Sequence, residues 1–274
     1  MLWCSVATSF RDWTDGSSVD ERAKADDLLE RAVARGWVMH HNMDVWRTTV
    51  PVHGPNGIWP MGGAWLSTQL WEHWLFTHDR AALARSYPVM KGAAEFFLDV
   101  LVEDPATGNL TVVPGVSPEN KPKCRRDPRN GWTRGASSDA QILRDLFAAV
   151  LESAKILGRE AEDADVLNEI AGKRARLEPL RIGRWGQLQE WTEDLDDPGD
   201  HHRHVSHLYC VYPSAQVTPD EPALFKAAHT PIFSALLQIV DTSLPSIAAT
   251  RPNTALALWG RARPAGHPAA RLAA

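Results

Sequence analysis

At 274 residues, with 44% hydrophobic and 23% charged residues, the chain is long enough to bury a full core and has a globular composition, which excludes a disordered protein. Its formal net charge of -5 leaves no positive field to hold a polyanion, so nucleic acid and anionic membranes are not expected partners. No apolar run approaches the roughly 20 residues of a membrane span, and Met1 to Phe10 lacks the charged start and apolar stretch of a secretory signal. An incomplete N-terminus would lose such a signal, so no compartment is assigned.

The first predicted helix runs from Ala64 to Thr77, where Leu66, Leu70 and Trp74 recur four apart and are expected to form the buried face. After a break at Thr77 to Asp79, a second helix is predicted up to Glu103. Val89, Ala93, Phe96, Phe97 and Val100 form its stripe, and Pro88 is tolerable only at a start or a kink. Ser138-Asp139-Ala140-Gln141 has the form of a capping box. Behind it Ile142, Leu146, Val150 and Leu157 keep helical spacing, and a further run passes through Leu167, Ile170, Arg174 and Leu177.

No stretch shows sustained alternation with β-branched enrichment, so the expected class is all-α. Helical pairs separated by long loops rich in Gly, Pro and Trp fit an α/α toroid or a bundle, and periodicity leaves both open. Beyond Thr230 the character changes. The stretch Pro231 to Ala249 is apolar, whereas Arg251 to Ala274 is an Ala/Arg/Pro-rich segment without helical period, expected to be poorly ordered.

Three cysteines, Cys4, Cys124 and Cys210, lack paired spacing and read as free thiols. Tryptophan is abundant, 12 in all, and an indole that needs an N–H partner is a costly core filler but a good face for a sugar ring.

Three clusters carry chemistry-bearing residues. In the loop Thr111 to Asn130, Ser117-Pro118-Glu119-Asn120 presents a carboxyl group off any helical face. Glycoside cleavage needs one carboxylic acid to protonate the leaving oxygen, and Glu119 fits that role if aromatic walls raise its pKa; the plain alternative is a turn-capping Glu. The segment Gly183 to His207 sets Gln189, Glu190, Glu193 and Asp194 beside two tryptophans, followed by Arg203, His204 and His207; within it, Asp194 to Asp200 reads as a solvated acidic loop. The third cluster, His40 to Arg47, gathers two imidazoles, a carboxylate, an indole and a guanidinium, and reads equally well as a capped helix start.

A metal site built on His202, His204 and His207 with His40 and His41 lacks any HExxH or cysteine spacing, so no metal is expected. A serine nucleophile lacks its G-x-S-x-G setting.

Taken together, GWVMHHNMDVWR, WPMGGAWLSTQLWEHWLFT, YPVMKGAAEFFLD, SPEN, DAQILRDLF, IGRWGQLQEW and HRHVSHLY, in order over Gly36 to Ala228, resemble glycoside hydrolase family 95, the α-L-fucosidases. The resemblance implies an (α/α)6 toroid, a six-hairpin glycosidase-like fold, that releases terminal α1,2-linked L-fucose from fucosylated oligosaccharides or glycans with inversion and without a cofactor. It implies Glu119 as general acid, with His40, His41, Arg203 and His204 lining the sugar pocket and Trp59 as a pocket aromatic.

The resemblance also implies parts that are not legible in this chain. The family's base is an Asp served by an upstream N-x-N block, with a further Asp in a GTGW-like segment downstream; neither block is found around the matched stretch. The expected organisation is therefore a divergent segment 1–35, a partial catalytic domain 36–228, and a divergent tail 229–274, with impaired activity unless Glu190, Glu193 or Asp194 supplies the base. The rival readings are a non-catalytic carbohydrate-binding or interaction remnant, and a related barrel hydrolase or phosphorylase for another sugar.

Overall fold

The computed structural model describes residues 34–42, 57–123, 131–200 and 202–230. The expectations placed on the tail after Thr230, on Cys4 and Cys124, and on nearly all of 1–35 lie outside them.

The described residues are mostly helical, as the sequence leads one to expect. Helix α1 spans Met61–Thr77 and α2 spans Arg80–Val100. Two two-residue strands follow, β1 (Val102–Glu103) and β2 (Leu110–Thr111), paired antiparallel with Val102 opposite Thr111. Helices α3 (Ser137–Leu157) and α4 (Ala164–Ala175) come next, then a 3-10 turn at Ser206–Cys210.

The break between α1 and α2 is made by two local devices. His78 takes a left-handed backbone, φ 51°, and Asp79 caps α2 by accepting from the N–H groups of Ala81 and Ala82 at 2.9 and 3.0 Å. Pro88 lies well inside α2 rather than at its start. Gly158, at φ 73°, ends α3.

Around one core, α1, α2 and α3 pack on each other, and α4 closes against α2 and α3. Phe97, Phe147, Leu143 and Leu146 are essentially sealed from water there, each burial worth about 1.5–3 kcal/mol. A smaller cluster of Leu188, Leu208, Cys210, Val217, Ala227 and Ala228 sits beside it, and Cys210 is a buried free thiol.

The predicted face of α1 is wrong by a rotation. Leu66 is exposed, Leu70 and Trp74 are only partly buried, and the inward face is Ala64, Ser67 and Trp71. The helix is apolar around most of its circumference, so spacing could not choose a face. Backbone contact chooses it: a Cβ on Gly62 would lie 2.3 Å from the His40 carbonyl oxygen, and one on Gly63 would lie 2.6 Å from the Trp37 ring. In α2, Ala93, Phe96 and Phe97 are buried as expected, but Val89 is exposed and Met90 fills the core instead.

The capping box at Ser138 is also replaced. Ala136 is the residue before α3, and Asp139 accepts from its N–H at 3.4 Å. Gln141, fully buried, reaches back only to the Ser137 hydroxyl at 3.5 Å; its shorter bonds run elsewhere, its amide donating to the His207 carbonyl at 2.9 Å and its oxygen accepting from the Cys210 N–H at 2.8 Å. The side chain expected to cap a helix instead fastens the 3-10 turn to it.

Candidate active site

The Ser117-Pro118-Glu119-Asn120 loop springs from a short backbone ladder in which Gly115 and Thr133 exchange hydrogen bonds at 2.8 Å in both directions. Glycine is required at that base, because a Cβ on Gly115 would lie 2.4 Å from the Gly135 Cα, a backbone atom that cannot step aside. The loop then closes as a turn, with the Asn120 N–H bonded to the Ser117 carbonyl at 3.0 Å. Glu119 has φ 61°, a left-handed conformation that a glutamate rarely adopts.

That conformation turns the Glu119 carboxyl toward Arg203 and His204. Arg203 Nη2 donates to Glu119 Oε2, and His204 Nε2 lies 4.0 Å from the same oxygen. The carboxyl is 22% exposed and the guanidinium 67%. Beside this pair opens a cavity of about 350 Å3, whose walls include Trp59, Trp65, Ile142, Tyr209, Arg203 and His204. Its volume lies in the range of ordinary small-ligand sites.

The aromatic wall has two distinct members. Trp59 is buried, meets Trp65 edge to face at 6.0 Å, and donates its indole N–H to Asp139 at 3.4 Å. Trp65, 39% exposed, presents its ring to the opening and meets Tyr209 at 6.0 Å. Burial pushes Asp139 up to about 7. Trp65 and Tyr209 were not singled out as pocket residues from the sequence; Trp65 stands in the same block as Trp59, and that nearness was the available signal.

Of the residues expected at the site, Trp59, Arg203 and His204 line this cavity, Glu119 does not line it but is bonded to Arg203, and His40 and His41 do not line it. The two histidines lie where their segment crosses the start of α1, with the Gly63 N–H bonded to the Met39 carbonyl at 3.0 Å. Burial, and then the neighbouring His41, lower the pKa of His40.

Behind the loop is a buried polar cluster. Glu190 Oε1 accepts from Ser117 Oγ, Asn120 Nδ2 donates to both Glu190 oxygens at 3.1 Å, and the Glu190 N–H donates to Asp196 at 3.1 Å. Ser117 Oγ is also 2.6 Å from Ser206 Oγ. Burial pushes Glu190 up to about 8 and His207 down to about 4, so these neighbours, 3.6 Å apart, meet as neutral groups rather than as an ion pair.

Asp196 corrects the picture of a wholly solvated acidic loop. It is buried, with its carboxyl raised to about 6 by desolvation, because it is spent on the Glu190 main chain. Glu193 pairs with Arg134 at 3.0 Å, and Asp194 accepts from the Arg184 N–H at 2.7 Å. None of these carboxylates, nor Glu190, lines the cavity beside Glu119.

A larger cavity of about 620 Å3 lies elsewhere, between α2 and the α3–α4 connection. Its charged groups are spent on one another: Lys91 and Tyr87 both bond Asp163, at 2.5 and 2.8 Å, and Arg159 pairs with Glu162. Among the described residues, no three potential metal ligands are grouped to hold an ion, and no helix is long and apolar enough to cross a membrane.

The family model of the glycosyl hydrolase family 95 catalytic domain matches residues 5–242. This chain belongs to that family. It is 36% identical over 198 residues to alpha-L-fucosidase 2 of Arabidopsis thaliana, an alignment covering 71% of this chain and 23% of that protein. It is 33% identical over 229 residues to probable alpha-fucosidase A of Aspergillus niger, covering 81% of this chain and 28% of the relative. A probable alpha-fucosidase A of Aspergillus oryzae is 34% identical over 112 residues, 39% of this chain and 14% of its own length. The chain thus spans about a quarter of the length of the first two family 95 relatives.

Proposed function

We propose that this chain is a portion of an (α/α)6 toroid, centred on 36–228, of a glycosidase that releases terminal α1,2-linked L-fucose from fucosylated glycans with inversion. The observation that carries the reading is the Glu119 carboxyl, which does not itself line the cavity but is bonded to Arg203 and lies beside His204, both of which line it together with two indoles. The names of the relatives, alpha-L-fucosidase 2 and probable alpha-fucosidase A, support fucose as the sugar.

In this reading Glu119 gives its proton to the glycosidic oxygen as the bond breaks. Arg203 Nη2 donates to Glu119 Oε2 along a direction that the glycosidic oxygen needs. Sugar hydroxyls entering the cavity take over the guanidinium and free the acid. Trp65 offers its face to the apolar side of the sugar, Trp59 backs it, and His204 bonds a hydroxyl; His40 and His41 are assigned to the pocket on the family resemblance.

Inversion also needs a carboxylate about 6.5–9.5 Å from the acid to activate water. No carboxylate is among the described residues that line this cavity. Turnover by the chain alone is therefore expected to fall about two to four orders of magnitude below that of a site with a working base.

The experiment is fucose release from a fucosyl-α1,2-galactose substrate by the parent chain and by Glu119→Gln, with L-fucose binding followed by tryptophan emission. Slow release that is lost in the variant supports the acid. Binding that persists in both proteins with no release in either supports a non-catalytic carbohydrate-binding remnant instead.

A further inference from the structure

Glu190 is a buried acid that the proposed chemistry does not use. It is 5% exposed and bonded to both ends of the Ser117–Asn120 turn: Ser117 Oγ donates to its Oε1, and Asn120 Nδ2 donates to both its oxygens at 3.1 Å. Its own main chain is fastened on both sides. The N–H donates to Asp196 at 3.1 Å, and the carbonyl accepts from the Ser137 N–H at 2.9 Å, at the start of α3.

Resting on the reading of Glu119 as the acid, we propose that Glu190 is a positioning residue: one carboxyl grips the residues on both sides of Pro118-Glu119 and so holds Glu119 in its left-handed conformation, against Arg203. A left-handed backbone is unfavourable for a non-glycine residue and persists only when its surroundings over-determine it. Here the surroundings are two ties on a single side chain, which is itself anchored to the helix start. Ser117 extends the grip to Ser206, 2.6 Å away and close in sequence to Arg203, so the acid and its guanidinium partner hang from the same buried support.

A water-activating role suits Glu190 poorly. Both of its oxygens are already engaged by the loop, and it does not line the cavity.

Glutamine in its place keeps an acceptor oxygen for Ser117 and Asn120, whereas alanine keeps none. The test therefore uses the full chain with Glu190→Ala and Glu190→Gln. Amide exchange is read at Asn120 and Lys121, whose N–H groups bond the Ser117 carbonyl and Asn120 Oδ1, with Leu146 and Val150 of α3 as reference. The expected result is exchange at Asn120 and Lys121 about tenfold or more faster in Glu190→Ala, with α3 and the glutamine variant within about threefold of the parent.

In the fucose-release assay, Glu190→Ala lowers kcat about a hundredfold with KM little changed, and glutamine restores most of the loss. Unchanged loop exchange in the alanine variant, equal loosening of α3, or failure of glutamine to rescue overturns the proposal. If Glu190→Ala does not fold, Ser117→Ala removes one tie, and unaltered exchange at Asn120 there overturns it equally. A parent chain that releases no fucose while the exchange pattern holds refutes the hydrolytic reading and leaves Glu190 as the support of this turn.

Discussion

Arg203 reaches across 84 residues of sequence to place its guanidinium on Glu119 Oε2, and it does so from the surface, with 67% of its side chain exposed. A contact made by so exposed a group adds little to the fold. Arg203→Ala is therefore expected to leave the melting temperature within about 2 °C of the parent while cutting kcat/KM for fucose release about tenfold or more. Calorimetry beside a turnover assay checks both halves, and a large loss of melting temperature would place the pair in the stability of the fold instead.

The positive φ of Glu119 separates stability from activity in a second way. Glycine adopts φ 61° without the clash that a Cβ brings, so Glu119→Gly is expected to stabilise the chain by up to about 1 kcal/mol while abolishing fucose release. Urea unfolding measures the first effect and sugar release the second. A destabilised glycine variant would show that contacts of the Glu119 side chain outweigh its backbone cost.

Burial of titratable groups gives stability a pH dependence with a definite sign. Glu190, ordinarily near 4.5, is raised to about 8, and Asp139, ordinarily near 3.8, to about 7; each keeps a proton in the native state that the unfolded chain has already released. Their cost is absent below the unfolded values and grows as pH rises to the folded ones. His207, lowered from 6.5 to about 4, acts oppositely: the unfolded chain binds its proton first, so stability is lost as pH falls through that window. Above about pH 7.5 the histidine is nearly all neutral in both states, and from there to about pH 8 the urea midpoint is expected to fall with rising pH. Glu190→Gln should flatten that slope, and a slope unchanged by the substitution would contradict the assignment.

Gln141 satisfies two buried main-chain groups at once, the His207 carbonyl and the Cys210 N–H. Leucine is close in size but can bond neither. Gln141→Leu is expected to cost about 2–4 kcal/mol in urea unfolding, since both groups would be left dry. A loss below about 1 kcal/mol would mean that water reaches the turn.

The sequence carried the helices and several residues of the candidate site, but through different kinds of signal. Asp79 at the start of α2 and the stripe of Ala93, Phe96 and Phe97 are local features, and local features survive into the fold. Glu119, Arg203 and His204 were legible as motif residues, and the structure brings them together. What failed was any statement that depended on a partner far along the chain. Glu190 and Asn120 are 70 residues apart, so nothing in either segment announces their bond. Asp196 looks like its neighbours Asp194 and Asp197 in a polar run, and only its bond to the Glu190 N–H tells it from them. The inward face of α1 was hidden for the opposite reason, an excess of apolar choices.

That last ambiguity bears on the pocket. Adjacent side chains on a helix differ in direction by about 100°, so a roll of α1 through about that angle would exchange Trp65 for Leu66 at the cavity wall. Gly62 and Gly63 act as a keyway in which the strand of chain at Met39 and His40 is seated, and the key admits one orientation. The choice between a flat aromatic surface and an aliphatic one at this cavity wall is thus made by two residues that carry no side chain at all.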